Sequence, residues 1–120
     1  MSITSVIERG VVVNTVEQVD TFGDIFDFIA NHIDSWKENQ VLWDIRRFDF
    51  ESIDSRSIRS FLRTAASVSE TRSGMKTAIF VDSDIGFGMM RMLQILAEAN
   101  IPVELGVFRN KERAIAWLHG

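Results

Sequence analysis

Thr77-Ala78-Ile79-Phe80-Val81-Asp82-Ser83-Asp84-Ile85-Gly86-Phe87-Gly88-Met89-Met90-Arg91 is the stretch that decides the fold. Thr77 to Val81 is an unbroken β-favouring run, the mark of a central strand covered on at least one face. Asp82, Ser83 and Asp84 then offer oxygen acceptors to the free N–H groups of a helix start. A helix over about Gly86 to Asn100 follows, and Pro102 ends it. Strand, cap and helix form the unit of a parallel sheet, because parallel neighbours need a crossover between them.

Working outward, the same unit recurs. Upstream, Val41-Leu42-Trp43-Asp44-Ile45-Arg46 alternates as a strand with Val41, Trp43 and Ile45 on one face. A loop with Phe48, Phe50 and Ile53 leads to a helix over about Ser55 to Glu70. Its apolar stripe is Ile58, Phe61, Leu62, Ala65 and Val68, and Ser73-Gly74 closes it. Further upstream, Phe22, Ile25, Phe26, Ile29, Ile33 and Trp36 share an arc of roughly 100° on a helix from about Thr21 to Trp36. Asp24, Asp27, Asn31 and Asp34 occupy its other side. Downstream, Val103 to Phe108 forms a strand, and Asn110 caps a last helix through Leu118. Ile3 to Glu8, Arg9-Gly10 and Val11 to Val16 read as a hairpin. The order β-β-α-β-α-β-α-β-α predicts an α/β sandwich: a five-stranded, mostly parallel sheet with four helices, the first strand antiparallel at the edge.

A chain of 120 residues has room for one such domain. Its 46% apolar and 25% charged residues exclude intrinsic disorder. The absence of cysteine excludes a disulfide scaffold, an iron–sulfur site and a thiol nucleophile. Two histidines, His32 and His119, are too few for a histidine-rich metal cage. Arg46, Arg47, Arg56, Arg59 and Arg63 gather around the second helix, but no aromatic platform accompanies them and the net charge is −4, so no nucleic acid is expected. No 18-residue apolar run exists, so no integral membrane segment is expected. Met1 to Glu8 lacks the pattern of a secretory signal, and the expected location is cytoplasmic.

Catalysis by a serine or threonine needs a base within reach. Neither histidine falls near a strand C-terminus, where open α/β sheets gather ligands. No H-E-x-x-H, G-x-S-x-G or glycine-rich lysine motif is present, so neither an enzyme nor a cofactor is expected. Asp82 to Arg91 has the setting of a phosphate loop, a strand before it and a helix after it. It lacks the third glycine and the lysine, and Asp82 and Asp84 would repel a pyrophosphate. Gly86 and Gly88 suit close packing of helix on sheet instead. Asp44, Asp82 and Asp84 end adjacent strands as a Mg²⁺ cluster would, yet only Glu17 follows the second strand and Arg109-Asn110 stands where a lysine is needed. No metal is expected.

Met89, Met90, Met92, Leu93, Ile95, Leu96 and Ala97 give the third helix a wide apolar arc. That width serves core filling, a homodimer face or an apolar ligand. For a ligand, the candidate residues are Asp82, Gly86, Gly88, Met89, Arg91 and Met92.

Val41 to Arg46, followed by Ile53-Asp54-Ser55-Arg56-Ser57-Ile58-Arg59, resembles the STAS (anti-sigma-factor antagonist, SpoIIAA-like) superfamily. In that family a strand ending in Asp leads to a D-S-[ST]-G helix start. Phe87 to Met92, Val107 to Asn110 and Ala114 to Leu118 are similar to a STAS-like subgroup that has been compared with the CRAL-TRIO domain. The resemblance implies successive β-α turns with helices mainly on one side, and a protein partner met at the start of the second helix. Arg56 stands in the place of the phosphorylated residue, and Ser57 where the family has glycine. A phosphate on Ser55 or Ser57 would gain roughly 0.3–1 kcal/mol from the helix dipole. The expectation is a non-enzymatic regulatory or protein-interaction module acting through Asp54, Ser55, Arg56, Ser57 and Arg59. The alternative is a carrier of a small apolar or lipid-like ligand in a Met/Phe-lined cavity.

Overall fold

The computed structural model describes residues 2–67 and 69–120. The elements are β1 (Thr4–Glu8), β2 (Val11–Thr15), α1 (Phe22–His32), β3 (Val41–Asp44), α2 (Ser55–Ala66), β4 (Lys76–Phe80), α3 (Asp84–Glu98), β5 (Glu104–Phe108) and α4 (Lys111–His119). They form one sheet in the order β1-β2-β3-β4-β5. β1 is antiparallel to β2, with Val6 opposite Val13, and the other pairs are parallel. The expected α/β class, the five strands, the four helices and the antiparallel edge are all observed.

A chain that adds one strand at a time by crossovers of one hand places every crossover helix on the same face. Accordingly α1, α2 and α3 cover the face that carries Val12, Trp43 and Ile79, and Ile25, Ile58, Met90 and Leu93 pack there. α4 follows the last strand and turns back over the other face, where Ala114, Ile115 and Leu118 meet Val11, Val13, Leu42, Ala78 and Phe80. The two-residue period of the strands divides the faces: Leu42 and Trp43 are both buried, in opposite cores.

Several boundaries differ from the sequence expectation. The first helix is α-helical only to His32, and Ile33–Trp36 tightens into a 3-10 turn that still buries both named residues. Phe28, stacked on His32 and edge-on to Trp43, is buried there, and Phe26 is only half-buried. α2 stops at Ala66, and Ser69–Arg72 is a separate 3-10 turn; Val68 of the expected stripe lies outside the described residues. α3 begins at Asp84, two residues before the expected start, because the Ser83 hydroxyl accepts the Gly86 N–H. In the hairpin both turn residues have positive φ, 52° at Arg9 and 76° at Gly10, which matches the right-handed twist of the strands.

Candidate functional site

The start of α2 is built by its cap. The Asp54 carboxylate accepts the Ser57 N–H at 2.9 Å and the Ser57 hydroxyl at 3.0 Å, which holds its carboxyl below the ordinary range. Ser55, Arg56, Ser57 and Arg59 are exposed around it. Arg56 and Ser57, with Ser60 and Thr64, form one side of a groove of about 430 Å³ whose apolar lining is Phe22, Phe26 and Phe61. Two of the five residues of the surface site read from sequence therefore belong to a groove between α1 and α2.

At the C-terminal edge of the sheet two of the three acids, Asp44 and Asp84, are already engaged. Asp44 is buried and takes two hydrogen bonds from the Arg46 guanidinium, at 3.0 and 2.8 Å, which itself lies 4.6 Å from the Phe80 ring centre. Burial pushes the Asp44 carboxyl up, but the bonds from Arg46 and its charge outweigh it, and the net shift is downward. Asp84 pairs with Arg109, whose guanidinium lies over Phe87. Among the described residues no three acidic or imidazole groups gather as a metal site. Asp82, Gly88 and Arg91 are exposed. Gly86 is a packing glycine, since a Cβ there would sit 2.9 Å from the Phe50 ring; at Gly88 nothing lies within 4 Å. Met89 and Met92 pack half-buried against the core, and Ile95 is 61% exposed.

A second, partly open space runs into the molecule. Between the sheet and α1, α2 and α3 there is a cavity of about 120 Å³. Trp43, Ile45, Ile79 and Leu105 of β3, β4, β5 and the β3 end line its sheet side. Ile25 and Ile29 of α1, Leu62 and Ala65 of α2, and Met90 and Leu93 of α3 close over it. Phe22 and Phe61, with ring centres 5.2 Å apart, line both this cavity and the outer groove. None of Asp82, Gly86, Gly88, Met89, Arg91 and Met92 lines the cavity. Nor do Phe48 and Phe50 of the loop before α2, which pack against each other instead.

The lining is apolar except at one end, where Ser69, Arg72 and Thr77 come together. Arg72 is 5% exposed. Its Nη1 donates to the Thr77 hydroxyl at 2.6 Å, and its Nη2 to the carbonyls of Asn39 and Lys76, both at 3.0 Å. Its Nε is buried without a partner, and among the described residues it forms no ion pair. Burial lowers its pKa to about 10, so the guanidinium stays charged at neutral pH. The Ser69 hydroxyl is spent on the Ala65 carbonyl. No family model, curated protein or solved structure matches this chain.

Arg72 escapes the sequence reading because it sits in a short Glu70-Thr71-Arg72-Ser73 stretch with no periodicity to place it inside. Asn14 escapes for the opposite reason. It falls on the inward face of β2 between Val12 and Val16, and is fully buried with neither amide atom bonded. The alternation of β2 puts it inward, and its polarity alone marks it as unusual there.

Proposed function

We propose that this chain is a non-enzymatic binding module of the STAS-like kind that holds a small apolar ligand between its sheet and α1–α3. The observation that carries this reading is the apolar cavity of about 120 Å³ left in an otherwise packed core. Protein interiors contain few voids larger than a water molecule, and a dry apolar cavity of roughly 150 Å³ accepts benzene. The volume limits the ligand body to about that size, well short of a long acyl chain. Sequential strand order with three helices on one face supports the STAS-like assignment. The non-enzymatic part is supported by both histidines: His32 Nδ1 donates to the Phe28 carbonyl and His119 Nε2 to the Arg9 carbonyl, so neither lies at the cavity.

The Phe22–Phe61 pair is the shared wall of cavity and groove, which makes it the way in. Titration with toluene, followed by NMR and by melting temperature, tests the reading. Saturable shifts at Ile25, Leu62 and Leu93 and a raised melting point are expected. Ala65→Leu fills the space and abolishes both. Shifts absent from native protein at millimolar toluene overturn it.

A regulatory role for the start of α2 rests on Arg56 and Ser57 lining the groove that this pair closes. Ligand entry would then alter what Asp54 to Arg59 present to a protein partner. The Ser57 amide resonance should move when the cavity fills. An Asp54–Arg59 segment blind to toluene at saturation counts against that role.

A further inference from the structure

We infer that the ligand is a small monocarboxylate, its apolar body in the cavity and its carboxylate at Arg72 and Thr77. This rests on the reading of the cavity as a ligand site and adds the chemistry of the ligand's polar end.

A cation held away from water needs a counter-charge, and one without it is costly to keep. The described residues give Arg72 three neutral acceptors and no carboxylate. Those acceptors engage Nη1 and Nη2 and leave Nε–H buried with nothing to donate to among the described residues, on a side chain that lines the polar end of the cavity. Beside it, the Thr77 hydroxyl accepts from Arg72 and donates to no atom among the described residues. Two side chains with one unspent donor each, one of them charged, thus line one end of a space whose other walls are hydrocarbon. A carboxylate supplies two acceptor oxygens and one negative charge, and charge-assisted bonds of this kind are short and strong. A phosphate ester fits less well, because its third oxygen and second charge would meet only apolar side chains. An amine is repelled by Arg72, and a neutral hydrocarbon leaves the charge uncompensated.

Benzoate, toluene and benzylamine share one ring and differ in the polar end, so they separate these cases. Isothermal titration and the Arg Nε–Hε NMR signals report on affinity and place. Benzoate should bind at one site and shift the Arg72 Nε–H signal, more tightly than toluene, with benzylamine weakest. Arg72→Gln should weaken benzoate by roughly tenfold to a hundredfold, the worth of a hydrogen bond to a charged group. Toluene, which has no acceptor for the guanidinium, should lose much less affinity in that variant. Because Arg72 also ties Asn39 to Lys76, Arg72→Gln can fail to fold. Thr77→Val then provides the variant, with benzoate weakened several-fold and toluene much less, alongside the Arg72 signal of native protein. Benzoate affinity that is indifferent to both variants, or no better than that of benzylamine, overturns the inference. Toluene binding without benzoate binding overturns the carboxylate alone, and failure of both probes overturns the cavity reading as well.

Discussion

At Asn14 and Arg72 the core holds polar atoms without a partner among the described residues, and the two differ in what their removal should do. Arg72 still ties three acceptors, two on β4 and one in the turn before β3, so losing it strips those groups of donors. Asn14 ties nothing: both of its amide atoms are buried and unbonded, and its neighbours on that face are Val12 and Val16. Asn14→Leu keeps the side-chain shape and removes the desolvation penalty. We expect it to stabilise the fold by about 1–3 kcal/mol in urea unfolding; a destabilised variant would show that the amide has a partner in solution. The caps, by contrast, were legible residue by residue. Asp54 and Asn110 accept from Ser57 and Arg113, three positions on in each case, as their chemistry requires. Arg72 was not legible, since one of its acceptors, Asn39, stands 33 positions away.

At the scale of the element, α3 contains two glycines that a sequence reading treats alike. Alanine at an exposed, unobstructed helix position gains about 1 kcal/mol over glycine. Gly88 meets that description, so Gly88→Ala should raise stability by about that amount. At Gly86 the new Cβ would stand 2.8 Å from the Ser83 hydroxyl and 2.9 Å from the Phe50 ring, and Phe50 is itself buried. Overpacking costs about 1–3 kcal/mol and outweighs the propensity gain, so Gly86→Ala should destabilise. Melting the two variants side by side checks both signs; a shared sign would refute the difference in packing. The existence and order of the helices and strands followed from local periodicity. Their ends did not, because Ile33–Trp36 and Ser69–Arg72 tighten into 3-10 turns only where they pack against each other.

For the whole molecule, two buried carboxylates matter, one joining separate segments and one bracing the end of a strand. Asp20 accepts from Ser2 and from the Glu17 N–H, holding the residues before β1 to the loop after β2. Asp44, the last residue of β3, holds Arg46 two positions on. Burial raises both carboxyls, but hydrogen bonds outweigh it, so both sit below the ordinary value. A depressed carboxyl stabilises the fold fully above its unfolded pKa, and that contribution fades as pH falls through the folded one. Stability should therefore decline from about pH 4 downward, and Asp44→Asn should flatten the decline while lowering stability at pH 7. A series of urea midpoints from pH 7 to 2.5 reads this out, and an unchanged slope in the variant refutes it. Filling the cavity acts on the same scale: Ala65→Leu should add about 0.5–2 kcal/mol at neutral pH, since it replaces void with contact. A lower melting temperature would mean that the space cannot take the added atoms. By itself the sequence determined the alternation of strands and helices, the caps and the two-faced sheet. Each of these depends on side chains within a few positions of one another, through the periods of strand and helix and the unbonded ends of helices. Only the tertiary structure decided that three helices fail to fill one face of the sheet, and that a guanidinium is left there without a counter-charge among the described residues. Residues from Phe22 to Leu105 line that space, and whether their volumes close it depends on how distant elements meet, which no local pattern encodes.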